Sequence, residues 1–409
     1  MKIGIYIPGL GESYKDESIL KYATRFMHEI DWNHQEARNI YSLKHETIFL
    51  GFNSSKKELN KLRTTKVSII ERKPDYTESV IYCFYDLPYE GILTDKFNSS
   101  NIFRKSFLLM LTIIRKFPRI FLCVVSKSSD GYFSTKKRLQ SFYAVVLLIL
   151  IGMGGILLIP SFITVFSSMD ASPVQVSVLL KRFLNNRFWN NISHYIIAGS
   201  VILFTIARRI NSFISALTVK LVCTHYYLQL GDQKQAILGH LDHLLEFIAE
   251  HEDPAATVHL HACDFGAIVC YDFLFPAGTV PAERTRQKVT CFCTISFPYE
   301  FISSYYPLYF KYRDNSMCNF LVHWYNIFSL PDFFSTNLKA ESFKGSINNR
   351  DCSVIPHNLH YDIVTRERSV FDFIAFFSFK TYQYYWDDAT EGTSCLRLLV
   401  REMMHNNFL

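Results

Sequence analysis

The chain has 409 residues, which is enough for one large domain or two small ones. Hydrophobic residues make up 49% and charged residues 20%, a balance that favours a membrane-attached protein with a globular part. The ten cysteines include no C-x-x-C pair, and the sequence contains no repeat, nucleic-acid motif or cofactor fingerprint. We therefore expect free buried thiols, no metal, no cofactor and no nucleic-acid partner.

The N-terminal part predicts four strands and one helix. Continuous β-branched or aromatic runs, typical of strands buried on both faces of a mostly parallel sheet, occupy 3–7, 46–50, 67–70 and 80–86. A helix is predicted over 16–30, with one apolar face made of Ile19, Leu20, Ala23, Phe26, Met27 and Ile30.

The first strand ends in "YIPGLGES", where Gly9 and Leu10 form a tight turn. Backbone amides in such a turn can contribute to an oxyanion hole, although an ordinary tight turn explains the glycines equally well.

A long apolar run follows a basic segment. Residues 101–138 hold nine Lys or Arg and one acid, Asp130, which favours contact with anionic lipid over an ordinary solvated face. Residues 142–166 then run for 25 residues without a charge, which is long enough to cross a bilayer. Residues 188–207 form a second run of 20, either a second crossing or a helix lying in the interface.

Basic residues at the outer ends of this hairpin, including Arg208 and Arg209, favour flanking regions on the cytoplasmic side. The prediction is a two-pass protein of the inner or plasma membrane with a cytoplasmic globular domain. Its predicted partners are the lipid bilayer and a lipid or acyl ligand.

The part after the hairpin alternates helix and strand. An amphipathic helix is predicted in "GDQKQAILGHLDHLLEFIAEHEDP" (231–254), where Pro254 ends it, and strands are predicted at 257–262, 289–296 and 319–327. Between the first of these strands and a helix beginning near Phe265, "ACDFGA" has the pattern of a nucleophile elbow.

Neither flank has enough strands to close a sheet alone. The predicted fold class is therefore α/β, with a doubly wound, mostly parallel sheet interrupted by a transmembrane helical hairpin. The predicted boundaries are 1–138 and 211–409 for the two parts of this domain, and 139–210 for the hairpin.

Several segments in order resemble a family of bacterial membrane-associated α/β-hydrolases of the lipase/esterase type. The matching segments are "YIPGLGE", "LQLGDQKQAI" (228–237), the elbow with "IVCYDFLF", "HWYNIFSLPDFFS" (323–335) and "YYWDD" (384–388). This resemblance implies an α/β-hydrolase fold with an oxyanion hole at Gly9, Leu10 and Phe265, and with Asp332 as the triad acid.

The departures from the family fall on catalytic positions. Asp264 stands where the family has its nucleophilic serine, and Tyr382 aligns with its histidine. Since a serine triad needs a hydroxyl, a base and an acid, two of its three members are missing.

Three interpretations follow. The preferred one is a degenerate hydrolase that binds or scaffolds an apolar, lipid-like ligand, and residual lipase/esterase-type activity is an alternative to it. In the second, Asp264 is a carboxylate nucleophile, as in epoxide hydrolases and haloalkane dehalogenases, and His357 or His360 is the base.

The third interpretation uses Cys263 as a thiol nucleophile beside His261, or His259 and His261 as a metal pair. Cys263 should point into the sheet, and one face of this strand is core, so both variants are disfavoured.

Overall fold

The computed structural model describes residues on both sides of the predicted hairpin. The described residues are 1–10, 18–34, 40–50, 62–89, 91–94, 219–277, 283–306, 308–310, 321–330, 334–338, 354–363, 384–387 and 389–409, with single positions at 104, 107, 108, 111, 112, 115, 118, 313 and 332. The predicted hairpin helices at 142–166 and 188–207 lie outside them. Among the helices that are described, none has the length and apolar character needed to cross a bilayer.

Eight strands build one mixed sheet. They are β1 (Lys2–Ile7), β2 (Ile40–Leu50), β3 (Leu62–Arg72), β4 (Glu78–Asp86), β5 (Thr257–Cys263), β6 (Val289–Ile295), β7 (His323–Phe328) and β8 (His357–His360). Their order is β2-β3-β4-β1-β5-β6-β7-β8. β3 is antiparallel to both of its neighbours, and every other pair is parallel. The predicted α/β class with a mostly parallel sheet is confirmed.

Seven helices accompany the sheet in the described ranges. They are α1 (Ile19–Asn33), α2 (Thr224–Leu230), α3 (Asp232–His251), α4 (Phe265–Leu274), α5 (Glu283–Arg286), α6 (Tyr299–Tyr305) and α7 (Leu396–His405), and a π-helical turn, Val219–Cys223, precedes α2. The buried side chains of α1 and α7 belong to one hydrophobic cluster, and those of α3 and α4 belong to another. The sheet therefore has a helical layer on each face.

Helix α1 begins at a capped end. Ser18 has an extended backbone, and its hydroxyl accepts a hydrogen bond from the Lys21 amide at 3.5 Å, which meets one of the unsatisfied amides of the first turn. Most of the predicted apolar face is buried, but Leu20 is 41% exposed and Tyr22 is fully buried instead. The prediction for Leu20 was wrong because a stripe of period 3.6 passes through Tyr22 and Phe26 just as well.

Two strands differ from the expectation. β2 is the edge strand, and most of its side chains are at least partly exposed, so it is not buried on both faces. Its 11 residues pair antiparallel with β3 along their whole length. β8 was not predicted, because it has only four residues and follows a turn-rich segment.

Strands β1 and β5 are parallel neighbours whose following helices pack on opposite faces of the sheet. α1, which follows β1, covers one face, and α4, which follows β5, covers the other. In open α/β sheets such a switch point leaves a crevice at the carboxyl ends of the strands, which is where ligands bind. The two turns that sequence analysis selected, at Gly9 and at Asp264, both lie there.

Candidate active site

Asp264 forms a sharp turn between β5 and α4. Its backbone has φ 46° and ψ −112°, a region that a residue with a side chain rarely occupies. The Asp264 amide donates to the carbonyl of Ile295 at 2.7 Å, which ties the turn to the end of β6. Such a conformation costs about 1–3 kcal/mol and is found mostly at functional sites. This geometry is that of a strained strand-to-helix elbow.

Gly266 allows the start of α4 to approach the end of β1. A Cβ atom at this position would lie 2.5 Å from the carbonyl oxygen of Ile7 and 2.7 Å from that of Pro8. Both neighbours are backbone atoms, so a larger residue would push two elements apart. The packing of α4 against the end of β1 thus requires glycine at position 266.

The turn after β1 packs beside the elbow. Gly9 and Leu10 are buried, and the Tyr89 hydroxyl donates to the carbonyl of Pro8 at 2.6 Å. The Tyr89 ring also stacks on Phe265, with ring centroids 6.1 Å apart. The structure therefore places Asp264 and Phe265 beside the first turn, and the oxyanion hole at Gly9, Leu10 and Phe265 stays a prediction.

Asp332 lies buried beyond the end of β7 and accepts three hydrogen bonds. The Tyr385 hydroxyl donates to its Oδ2 at 2.9 Å, and the Ser296 hydroxyl donates to the same oxygen. The Phe334 amide donates to its Oδ1 at 3.0 Å. None of these three donors is the imidazole N–H that a serine triad would place on its acid.

Ser296 and Tyr385 were not identified from the sequence. Ser296 directly follows β6, and its φ of 59° makes it a second strained residue at the same edge of the sheet. Its amide donates to the carbonyl of Ile327 at 3.0 Å. A serine at positive φ carries no sequence signal, in contrast to a glycine. Tyr385 stands in the "YYWDD" segment, and only its proximity to Asp332 distinguishes it from the neighbouring tyrosines.

The two candidate histidines contact other acids. His357 and His360 are the two ends of β8, with side chains 56% and 39% exposed. The His357 ring lies 3.9 Å from a carboxylate oxygen of Glu402 in α7, and the His360 ring lies 3.6 Å from Asp362. Tyr382, the position aligned with the family's histidine, lies outside the described residues.

Cys263, His259 and His261 are buried on the face of the sheet that α1 and α7 cover. The Cys263 side chain thus belongs to the core and not to the tip of the turn, as expected. In the described ranges, no group of histidine, cysteine and acidic side chains has the arrangement of a metal site. The seven cysteines described are all free and buried.

A second buried charge cluster lies on the α3 and α4 face. Asp272 of α4 is 2.8 Å from Lys234 of α3 and 2.8 Å from Arg313, and it accepts a hydrogen bond from the Tyr309 hydroxyl. The Arg313 guanidinium lies 4.6 Å from the Tyr309 ring centroid, which offsets part of the cost of burying a second cation. Burial lowers the pKa of Lys234, and Asp272 opposes that change.

This cluster joins the helix that leaves the elbow to α3 and to the segment around 309. It is a structural clamp, because each cation bonds to a carboxylate or faces an aromatic ring. The sequence signal for it was weak: Asp272 is the one acid in an otherwise apolar helix, "FGAIVCYDFL".

Comparison with known proteins gives no match to a family model, to a curated protein or to a solved structure. The resemblance to membrane-associated α/β-hydrolases therefore stays a prediction from motifs.

Proposed function

We propose that the chain is a membrane-anchored protein with an α/β-hydrolase-like fold that binds an apolar ligand and does not catalyse serine-type ester hydrolysis. The observation that carries the proposal is the identity of the three donors that Asp332 has among the described residues. Its carboxylate already accepts hydrogen bonds from Tyr385, Ser296 and the Phe334 amide.

The donor from the C-terminal segment cannot replace a histidine base. Burial and the nearby charge of Asp332 both raise the pKa of Tyr385 well above its ordinary value. A phenol with a raised pKa stays protonated, so it can orient Asp332 but cannot take a proton from a nucleophile at neutral pH. Asp264 at the elbow has no hydroxyl to activate.

The ligand class and the location follow from sequence features. The apolar runs at 142–166 and 188–207 support a two-pass anchor, and the basic segment at 101–138 supports a cytoplasmic domain close to anionic lipid. Open α/β sheets bind ligands at the carboxyl ends of the strands around a switch point, which here lies between β1 and β5. A lipid or acyl chain is the ligand that such a site on a membrane-anchored protein would meet.

A serine-hydrolase probe tests the proposal. The full-length protein in anionic vesicles is incubated with a fluorophosphonate probe and with short- and long-chain p-nitrophenyl esters. We expect no probe adduct and no ester turnover above that of empty vesicles, together with saturable binding of a fluorescent fatty acid. Ser296 is the residue to check by mass spectrometry, and an adduct there or steady ester turnover would refute the proposal.

A second candidate function is hydrolysis through a covalent ester on Asp264. The strained elbow backbone favours it, because strain of this kind persists mostly where a site uses it. In this reaction an Asp264 oxygen displaces a leaving group from a carbon atom of the substrate, and water then cleaves the ester at the Asp264 carbonyl carbon.

Single turnover with an epoxide or haloalkane in H₂¹⁸O distinguishes the two candidates, because the hydrolytic step leaves one ¹⁸O atom in the Asp264 carboxylate. Asp264→Asn is the matched control. Label in the wild-type peptide alone would establish the nucleophile, and absence of label with any substrate would exclude it.

A further inference from the structure

A chain of buried hydrogen bonds runs below the elbow, on the face of the sheet that α1 covers. We call it the buried relay, and its members in order are Tyr22, His261, Tyr82 and His259. The Tyr22 hydroxyl lies 2.9 Å from His261 Nδ1. The Tyr82 hydroxyl lies 2.8 Å from His261 Nε2 and 2.9 Å from His259 Nδ1. All four residues are fully buried, with 0% relative exposure.

Gly4 makes the relay possible. β1 lies between β4 and β5, so the Tyr82 side chain of β4 has to cross β1 to reach the histidines of β5. A Cβ atom on Gly4 would lie 2.8 Å from the Tyr82 ring and 2.7 Å from the Phe84 ring. Glycine at this central strand position therefore opens the space through which Tyr82 reaches two strands away.

Each bond of the relay needs one hydrogen, which constrains where the protons are. A tyrosine hydroxyl has a single hydrogen, so Tyr82 donates to at most one of the two histidines. A neutral imidazole likewise carries its proton on one nitrogen only. Burial lowers the pKa of His259 to about 3 and lowers that of His261 well below its ordinary value, so both rings are neutral at pH 7.

Three proton arrangements satisfy all three bonds. One of them, in which Tyr82 accepts from both histidines, leaves two buried groups unsatisfied, the Tyr82 hydrogen and His259 Nε2. Tyr82 both donates and accepts in the other two. In the first, Tyr22 donates to His261, His261 donates through Nε2 to Tyr82, and Tyr82 donates to His259. Within the relay, the one polar group that then lacks a partner in the described structure is the Nε2–H of His259.

In the second arrangement every bond is reversed. Within the described part of the chain, the Tyr22 hydrogen then has no acceptor, and His259 Nε2 is a bare acceptor without a donor. The reversed relay leaves two buried groups unsatisfied where the first leaves one. An unsatisfied buried group is costly enough to shift the populations by about tenfold or more.

We infer that the buried relay has a single direction, running from Tyr22 to His259, and that both of its histidines carry their proton on Nε2. The inference rests on the described core and is independent of the proposed function. Tyr22 and Tyr82 are thus positioning residues, since they set the tautomer and ring orientation of two histidines on β5, the strand that leads to Asp264.

Nitrogen NMR of the full-length protein labelled with ¹⁵N-histidine tests the direction. At pH 7 we expect a protonated Nε2 and a bare Nδ1 for His259 and for His261, assigned by the signals lost in His259→Gln and His261→Gln. A protonated Nδ1 on either ring, or a charged ring, would overturn the inference.

Two variants distinguish an effect of the relay's proton direction on the histidine tautomers from an effect of core packing. Tyr22→Phe removes the donor that sets the direction, after which the two directions each leave two unsatisfied groups. The minor tautomer of both histidines should then rise from about one tenth or less to a comparable population. Tyr325→Phe removes a hydroxyl on the same core face that bonds to Asn406 instead, and it should leave the tautomers unchanged. An unchanged tautomer ratio in a folded Tyr22→Phe protein counts against the relay.

Discussion

Tyr385 donates a hydrogen bond of 2.9 Å to Asp332, which ties the C-terminal segment to the end of β7 across 53 residues of sequence. The acceptor is a buried carboxylate with 1% exposure, so this hydrogen bond contributes more to stability than one between neutral groups. It places a phenol where the hydrolase resemblance would place an imidazole.

Tyr385→Phe should therefore lower the free energy of unfolding by about 1–3 kcal/mol, because a buried carboxylate loses one of its three donors. Chemical unfolding of the full-length protein measures this loss. Tyr325→Phe is the control, since its buried hydroxyl bonds to the neutral amide of Asn406, and it should cost about 0.5–1.5 kcal/mol. An equal or smaller loss for Tyr385→Phe would mean that the bond to Asp332 carries no special weight.

Gly266→Ala should destabilise the protein strongly, by about 3 kcal/mol or more, because the added methyl group meets two backbone carbonyls. Gly239→Ala in α3 is a matched control, since nothing lies within 4 Å of the added atom there. That change should raise the unfolding free energy by up to about 1 kcal/mol, because alanine favours helix over glycine. Thermal unfolding of both variants gives the comparison, and tolerance of Gly266→Ala would show that the turn after β1 can move.

The strain at Asp264 can be measured with two substitutions that both remove its carboxylate. With φ at 46°, glycine should be tolerated better than alanine, so Asp264→Gly should be more stable than Asp264→Ala by about 1 kcal/mol. This order is the reverse of the one expected at Gly239. Equal stability of the two Asp264 variants would mean that the elbow relaxes once the side chain is removed.

The elbow could be predicted from the sequence because its signals are local. An apolar run, small residues around Asp264 and an apolar helix stand next to each other in the chain, and β5, the turn and α4 follow in that order. The α/β class was predictable for the same reason, since each strand and helix has its own periodicity.

The partners of the site could not be predicted, because they come from distant segments. Ser296 and Tyr385 reach Asp332 only through the sheet order and the path of the C-terminal segment. In the same way, the pattern at His259 and His261 indicated one core-facing side of a strand. The tyrosines that bond to them belong to α1 and β4, which no local pattern connects to β5.

The relay histidines also predict how stability depends on pH. Burial, with a smaller contribution from Lys2, lowers the pKa of His259 to about 3, and burial lowers that of His261. In the unfolded chain both rings have a pKa near 6.5, so below about pH 6.5 the unfolded state binds more protons than the folded state. Each histidine should therefore reduce stability as the pH falls from about 6.5 towards 3, by up to about 1.4 kcal/mol per pH unit.

Asp86 opposes this trend. It ends β4, and burial raises its pKa to about 7. The pKa of Asp86 in the unfolded chain is near 4, so between pH 4 and pH 7 the folded state binds the extra proton. The contribution of Asp86 to the free energy of unfolding therefore increases as the pH falls. Asp86→Asn should consequently make the loss of stability between pH 6.5 and 5 steeper than in the wild type.

Urea unfolding at pH 6.5 and 5 tests both contributions. His259→Gln should reduce the loss of stability over this interval by up to about 2 kcal/mol, whatever its effect on stability at pH 6.5. His243→Gln is the control for removing a histidine outside the core, because that ring is 45% exposed on α3. A His259→Gln slope equal to the wild-type slope would mean that His259 is not held neutral in the core, and the proton arrangement inferred for the buried relay would then lose its basis.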